Sequence, residues 1–306
     1  MNNELLFWVA FNSFVIVMLL LDLAVFHRRA HQVGFREALA TSVMWIALAG
    51  AFAGLVYFWR GHIPALEFVT GYLVEESLSV DNLFVFLLIF RYFRVAGEYQ
   101  HKVLFWGILG ALVMRGVFIG AGVALIHRFH WIIYIFGAFL IYTAVTLLRT
   151  GEKEIHPDRN PVLRAFRRFM PVTENYEGGK FIVRRGGLYA TPLLLVLIIV
   201  ETTDVMFAAD SIPAVLAITR DTFIVYTSNV FAILGLRSMY FALAGLIEAF
   251  RYLNVGLAVI LGFIGVKMLL SAHYQIPTGV ALGVVGGVLA VSIIASLARP
   301  KQGVRS

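Results

Sequence analysis

Carboxylates interrupt two of the most apolar stretches of the chain, residues 74–86 (VEESLSVDNLFVF) and residues 200–214 (VETTDVMFAADSIPA). The six acids of these stretches are Glu75, Glu76, Asp81, Glu201, Asp204 and Asp210. An intramembrane carboxylate costs about 2.5–3.5 kcal/mol on scales derived from translocon insertion. The acids within residues 201–210 therefore need a partner, which can be a cation, a basic side chain or a water-filled cavity.

The residues beside these acids supply further oxygen donors, including the hydroxyls of Thr202 and Thr203. The chain has no Cys, and no His lies in the middle of an apolar run. Oxygen ligands suit Mg²⁺, Ca²⁺ and Mn²⁺ rather than Zn²⁺ or Cu⁺. Met206 would favour Mn²⁺ if its sulfur reached the ion, although a lone Met in an apolar helix more often only packs. We therefore predict a site for a hard divalent cation, with ligands from Glu75, Asp81, Asn82, Glu201, Asp204, Asp210 and Ser211.

Three bases also lie within apolar runs, namely Arg115, Arg237 and Lys267. They could pair with the acids in a purely structural role, or the acids could form a proton relay without metal. Six acids against three bases leave an excess of three carboxylates, and buried pairs of this kind add little net stability. Each base could either neutralise charge or act as a gate that pairs with a carboxylate when the ion has left. Glu76 lies on another helical face than Glu75 and is expected to be peripheral.

The composition predicts an all-α, polytopic membrane helix bundle. Of the 306 residues, 60% are apolar and only 14% are charged, and the mean hydropathy is +0.85. About 20 apolar residues span a bilayer, and this length divides residues 1–298 into about nine transmembrane helices of one domain. Residues 299–306 form a solvated tail. The predicted spans are 4–26, 39–59, 66–90, 103–126, 131–149, 189–217, 223–249, 255–272 and 278–298.

Lys and Arg residues in the connections predict the orientation of the bundle. With the N-terminus outside, 19 of the 25 basic residues fall on the inner side, three fall on the outer side and three lie within spans. Inner loops of membrane proteins carry the excess of positive charge, so the N-terminus is predicted outside and the C-terminus inside. The net charge of +7 is explained by this asymmetry, and no nucleic-acid partner is expected.

The two acidic stretches belong to an internal repeat. The pattern Glu-x5-Asp-Asn-Leu at 75–83 matches Asp-x5-Asp-Ser-Ile at 204–212, and the spans that follow place Arg115 opposite Arg237. Spans 3–5, about 66–149, therefore resemble spans 6–8, about 189–272. The first spans of the two sets are predicted to cross the membrane in opposite directions, which makes the three-helix repeat an inverted one. Secondary transporters commonly bind their substrate between such repeats.

Local sequence leaves two shapes open for the acidic helices. They can remain helical and present a broad stripe of oxygens, or they can unwind so that the acids converge. Pro192 and Pro213 bracket the second acidic stretch, and Gly71 precedes the first; both residue types weaken helices.

The longest connection, residues 150–188, is predicted to be cytoplasmic and to contain a short helix at NPVLRAFRRFM, 160–170. Its apolar residues share one face and its arginines lie largely opposite, which predicts an interfacial helix. Whether it is a plain membrane anchor or a regulatory or partner-binding element stays open.

The sequence resembles the TerC family of integral membrane proteins, and most of all its Alx branch. The resemblance lies in GYLVEESLSVDN (71–82), WIIYIFGAFLIYTA (131–144), GGLYATPLLLVLIIVETTDVMFAADSIPA (186–214) and FIVYTSNVFAILGLRSMYF (223–241). It implies a multi-pass protein of the bacterial inner membrane, within the wider LysE-type transporter group. In that group the Alx branch is associated with manganese export, the TerC name with tellurite resistance, and other members with metal loading of exported enzymes. The acidic motif of the family falls on Glu75, Asp81, Asn82, Glu201, Asp204 and Asp210.

The leading hypothesis is a secondary exporter of Mn²⁺, or of Ca²⁺, that works without a prosthetic group and is driven by a proton or ion gradient. A metal-delivery or scaffold protein for exported metalloenzymes would use the same site. An intramembrane aspartyl protease built on Asp81 and Asp210 is the enzymatic alternative, but its usual GxGD context is absent, so no enzyme is predicted. The bilayer and the divalent ion are the expected partners, and a homo-oligomer is left open.

Overall fold

The computed structural model describes residues 2–26, 34–129, 131–150, 161–184, 186–244, 252–270 and 276–298. Within these residues the chain forms ten helices and one two-stranded antiparallel sheet. The elements are α1 (Asn2–Phe26), α2 (Phe35–Arg60), α3 (His62–Tyr92), α4 (Gly97–Arg128), α5 (Ile132–Thr150), α6 (Pro161–Phe169), β1 (Ile182–Arg184), β2 (Leu188–Ala190), α7 (Pro192–Leu216), α8 (Thr222–Ala244), α9 (Leu253–Leu270) and α10 (Thr278–Ala298).

The predicted all-α helix bundle is confirmed, and each predicted span overlaps one long helix of the described residues. The number of helices that cross a membrane stays a prediction. By length and composition, six helices of the described residues could cross a membrane: α2, α4, α5, α7, α8 and α10. Two shorter apolar segments lie in α1 and α9. The remaining long helix, α3, carries acids along much of its length. The small sheet was not predicted.

The acidic helices α3 and α7 lie inside the bundle. Helix α3 packs against α8, α2 and α7, whereas α7 packs against α4 and α3. Helix α5 packs against α9. Most of α7 and α8 is buried, although both helices are apolar enough to lie in lipid. The protein therefore surrounds its two acidic stretches with other helices.

Both acidic helices are continuous, so the oxygens form a stripe and the unwound alternative is wrong. Pro213 lies inside α7 without ending it. Thr202 and Thr203 donate their hydroxyls to carbonyls one turn earlier in the same helix. Gly71 does not break α3; a Cβ there would lie 3.1 Å from Ser228 Oγ, so this glycine permits close packing on α8.

Glycines allow α5 and α9 to approach at backbone distance. A Cβ at Gly265 would lie 2.7 Å from the carbonyl oxygen of Gly137 and 3.1 Å from the amide nitrogen of Ile141. Small residues let membrane helices pack this closely. Neither backbone atom can move without shifting a whole helix.

Gly265→Ala is expected to lower the free energy of unfolding by about 1–3 kcal/mol, the usual cost of overpacking. Thermal unfolding of the purified protein in detergent measures the change. Gly286→Ala on α10 is the matched control, because nothing lies within 4 Å of a Cβ there. Equal melting temperatures for the two variants would contradict the close crossing of α5 and α9.

The connection before α7 is folded onto the C-terminal end of α3 and the N-terminal part of α4. Lys102 Nζ donates to the carbonyl of Gly179 at 2.8 Å and lies 5.0 Å from the ring centroid of Phe181. The hydroxyl of Tyr176 donates to the carbonyl of Phe93 at 2.7 Å, and burial raises the pKa of this phenol. The described part of the connection is thus an ordered cap.

Helix α6 differs from the predicted interfacial helix in how it uses its apolar side chains. Leu163 is only 2% exposed and belongs to the core that contains the first half of α7. Phe166 packs against the same core, whereas Phe169 is 88% exposed. The apolar residues are therefore divided between a docked face and an outward face, which helical periodicity alone does not distinguish.

Candidate metal site

A buried arginine joins the two acidic helices. Arg115 of α4 forms ion pairs with Glu75 of α3 and, at 3.1 Å, with Asp204 of α7. Its other terminal nitrogen lies 3.3 Å from Asn229 Oδ1 of α8. Arg115, Glu75, Asp204 and Asn229 are all buried. Four helices thus meet at one guanidinium, which bridges the equivalent acids of the two predicted repeats.

A second group of polar atoms surrounds a small cavity between α3, α5, α7 and α9. The cavity is lined by Leu78, Asn82, Thr143, Leu147, Phe207, Asp210, Leu257 and Leu261, and its free volume is about 10 Å³. Such a volume is on the order of one water molecule. The hydroxyl of Thr143 donates to Asp210 at 3.1 Å. A carboxylate, a carboxamide and a hydroxyl therefore face a space of ionic size.

Several buried polar atoms of α3 and α7 have no hydrogen-bond partner among the described residues. They include Asn82 Nδ2, Asp204 Oδ2, Ser79 Oγ and Ser211 Oγ. Buried polar groups are normally hydrogen-bonded, and exceptions are commonly explained by a bound water or ion. The oxygens among these atoms are suitable ligands for a hard cation. The oxygen donors of the two helices are therefore of the chemical type that such an ion binds.

Glu201 lies apart from both groups, against α4. Its carboxylate occupies the position that a Cβ on Gly110 would take. It is one turn before Asp204 on α7, and the two carboxylates repel each other. The close approach of α4 to α7 at Gly107, Gly110 and Gly122 therefore fixes where Glu201 can point.

Gly110→Ala is expected to displace the Glu201 carboxylate while changing stability little, because the end of a flexible side chain can move. If Glu201 binds the ion, the variant should bind Mn²⁺ at least about tenfold more weakly, as for other changes that misplace metal ligands. Calorimetric titration of the purified protein measures this. Gly120→Ala is the control, since that position opens onto free space. Unchanged affinity in Gly110→Ala would remove Glu201 from the ligand set.

Glu76 points away from the site, as its position on the helix predicts. It interacts with the hydroxyl of Tyr72 one turn earlier in α3, and its Oε1 lies 3.9 Å from the position of a Cβ on Gly235 of α8. The two adjacent glutamates of α3 therefore face different neighbours.

The three predicted gating bases occupy different places. Arg115 joins Glu75 to Asp204. Lys267 is buried on α9 and interacts electrostatically with Glu67, near the start of α3. Arg237 is buried on α8.

The side chain of Asp81 lies outside the described residues. Among the side chains that the structure describes, no three acidic or histidine residues converge closely enough to hold one metal ion. The described acids are distributed over two places, the ion pairs of Arg115 and the cavity beside Asp210, with Glu201 apart from both. Met206 is 67% exposed, so it adds no soft contact to the site.

Sequence reasoning missed two residues of the site, Thr143 and Asn229. Both are single polar residues within apolar runs, which is a weak signal, since such residues often only bond their own helix. Thr143 falls opposite Lys267 when the last helices of the two repeats are aligned. That correspondence is a sequence signal that could have identified Thr143. No comparable sequence signal points to Asn229.

The sequence profile of the integral membrane protein TerC family matches residues 61–303. The chain belongs to the TerC family. An uncharacterized membrane protein of Myxococcus xanthus is 52% identical over 296 residues, which cover 96% of this chain and 93% of the relative. The putative membrane-bound redox modulator Alx of Escherichia coli K12 is 48% identical, with 94% and 93% covered. No solved structure matches the chain.

Near full-length coverage of these TerC-family relatives means that the alignment includes both acidic helices. An uncharacterized membrane protein of Rickettsia conorii is 40% identical over 95% of this chain and 97% of its own length. The family resemblance expected from the acidic motifs is thereby confirmed, including the kinship with Alx proteins.

Proposed function

We propose that this TerC-family protein is a secondary exporter of divalent cations, with Mn²⁺ as the preferred cargo. The observation that carries the proposal is the bridge made by Arg115 between Glu75 and Asp204. These are the equivalent acids of the two predicted repeats. A buried pair of carboxylates held by one monovalent side chain is a place where a divalent cation can exchange with that side chain.

The packing of the helices supports an inverted repeat. In such a repeat α3, α4 and α5 correspond to α7, α8 and α9. The contact between α3 and α8 then has the contact between α7 and α4 as its counterpart. Both contacts are extensive, and the third helices, α5 and α9, pack on each other. An offset of 129 residues relates Glu75 to Asp204, Leu78 to Phe207 and Asp81 to Asp210. Leu78 and Phe207 line the same cavity, as residues near a shared two-fold axis would.

Alternating access requires the site to lose and regain its ion. With the ion bound, the carboxylates of α3 and α7 are neutralised by its two charges. When the ion leaves, Arg115 pairs with Glu75 and Asp204 and limits the cost of two buried anions. Asp210 and Asn82 then offer a neighbouring station for the ion. Transport is coupled to protons or to another ion, because acidic ligands must lose protons to bind metal.

The preference for Mn²⁺ rests on the family resemblance, since the exposed Met206 gives no local reason to favour it over Ca²⁺. The relatives called Alx are named putative redox modulators. This chain has no Cys, so a thiol mechanism is not available to it. Its place is the bacterial inner membrane, with a periplasmic N-terminus and a cytoplasmic C-terminus.

Uptake of Mn²⁺ and Ca²⁺ into everted membrane vesicles tests the proposal. The wild type should accumulate Mn²⁺, and Asp81→Asn/Asp210→Asn should not. Binding without accumulation would favour the metal-delivery alternative. If the well-expressed wild type neither bound nor accumulated the ion, export would be refuted.

A further inference from the structure

The surface of α6 is divided into three sectors by its contacts. Leu163 and Phe166 dock onto the core that contains α7. Val162, Ala165 and Phe169 are exposed, and their spacing of three, four and seven residues places them on one helical face. Arg164, Arg167 and Arg168 are exposed on the rest of the helix, and no acid lies between Pro161 and Phe169.

The docked sector fixes how the helix is oriented. Because Leu163 is 2% exposed within the core of the bundle, α6 cannot roll to hide its remaining apolar side chains. Phe169, at 88% exposed, therefore stays outward beside the arginines. An apolar strip that borders exposed cations, on a helix held against α7, matches the interface of a bilayer with anionic headgroups.

We propose that α6 is a binding surface for anionic phospholipids of the inner leaflet. Val162, Ala165 and Phe169 enter the boundary between headgroups and acyl chains, and Arg164 and Arg168 contact lipid phosphates. The contact holds the inner end of α7 at the membrane surface through Leu163 and Phe166. It is independent of the ion that the protein carries.

A nitroxide label at Ala165→Cys tests this surface, because the chain has no other Cys. The full-length protein is placed in nanodiscs of phosphatidylcholine alone or with phosphatidylglycerol. Accessibility to oxygen reports contact with lipid, and accessibility to a water-soluble nickel chelate reports contact with water. We expect the oxygen-to-nickel ratio to rise several-fold in the anionic bilayer and to fall again at high salt.

Two matched double variants separate charge from position. Arg164→Gln/Arg168→Gln should abolish the difference between the two bilayers. Lys180→Gln/Arg184→Gln, which removes two exposed cations from the neighbouring hairpin, should keep it. A label that stays accessible to water in the anionic bilayer would overturn the proposal, as would equal insertion in both bilayers. Spin–spin broadening between labels would identify a second copy of the chain as the occupant instead.

Discussion

Glu75→Gln is expected to reduce Mn²⁺ transport by more than about 100-fold, since changing residues that merely support metal ligands already costs 10–100-fold. Glu75 is fully buried and paired with Arg115, so the substitution removes one of the two negative charges that the cation neutralises. Mn²⁺ uptake into everted vesicles, normalised to the amount of protein, measures the effect.

Glu76→Gln is the matched control, because it makes the same chemical change at the next position of the same helix. Its carboxyl lies beside Tyr72 and Gly235, away from Arg115, and transport should be largely retained. Transport by Glu75→Gln at the rate of the wild type would contradict the assignment. Equal losses in both variants would show that the effect comes from burial of the charge alone.

Arg115→Gln is expected to destabilise the metal-free protein by about 3–5 kcal/mol, the usual cost of removing one partner from a buried ion pair. It leaves Glu75 and Asp204 buried without their guanidinium. A divalent cation can supply the missing charge, so Mn²⁺ should raise the melting temperature of the variant more than that of the wild type. At 100 times the dissociation constant, binding contributes about 2.7 kcal/mol. Thermal unfolding in chelator and in Mn²⁺ measures both effects.

Two further variants show whether the effect comes from charge. Arg115→Lys keeps the charge without the fork of donors, and it should be destabilised less. Glu75→Gln/Arg115→Gln/Asp204→Asn removes all three charges and should recover stability while losing the response to Mn²⁺. If Arg115→Gln were as stable as the wild type in chelator, the bridge made by Arg115 would not contribute to the stability of the protein.

The long helices could be predicted from sequence because hydropathy and basic loops constrain them strongly. The predicted ends of α5 and α10 lie within one residue of the observed ends. The pairing of acids with a buried base was also foreseeable, since an intramembrane Arg115 has few other ways to be satisfied. That Arg115 pairs with Glu75 and Asp204 in particular could not be predicted, because this depends on how α4 crosses between α3 and α7.

Contacts between helices explain the remaining differences. Thr143 and Asn229 reach the site only because α5 and α8 pack beside α7 and α4, and a single polar residue carries no sign of its neighbour. Met206 is close to the acids in sequence but points outward, because neighbouring positions of a helix lie about 100° apart. The docking of Leu163 onto α7 likewise depends on tertiary packing, which the amphipathic pattern of α6 does not contain.

Equilibrium binding of Mn²⁺ to the purified protein tests the central claim most directly. The electron paramagnetic resonance signal of free Mn²⁺ gives the bound fraction, in wild type and in Glu75→Gln/Asp204→Asn, with Glu76→Gln as control. We predict saturable binding in the wild type and in Glu76→Gln, and its loss in the double variant. Unchanged binding in the double variant, or no binding by folded wild type, would contradict a cation site between α3 and α7.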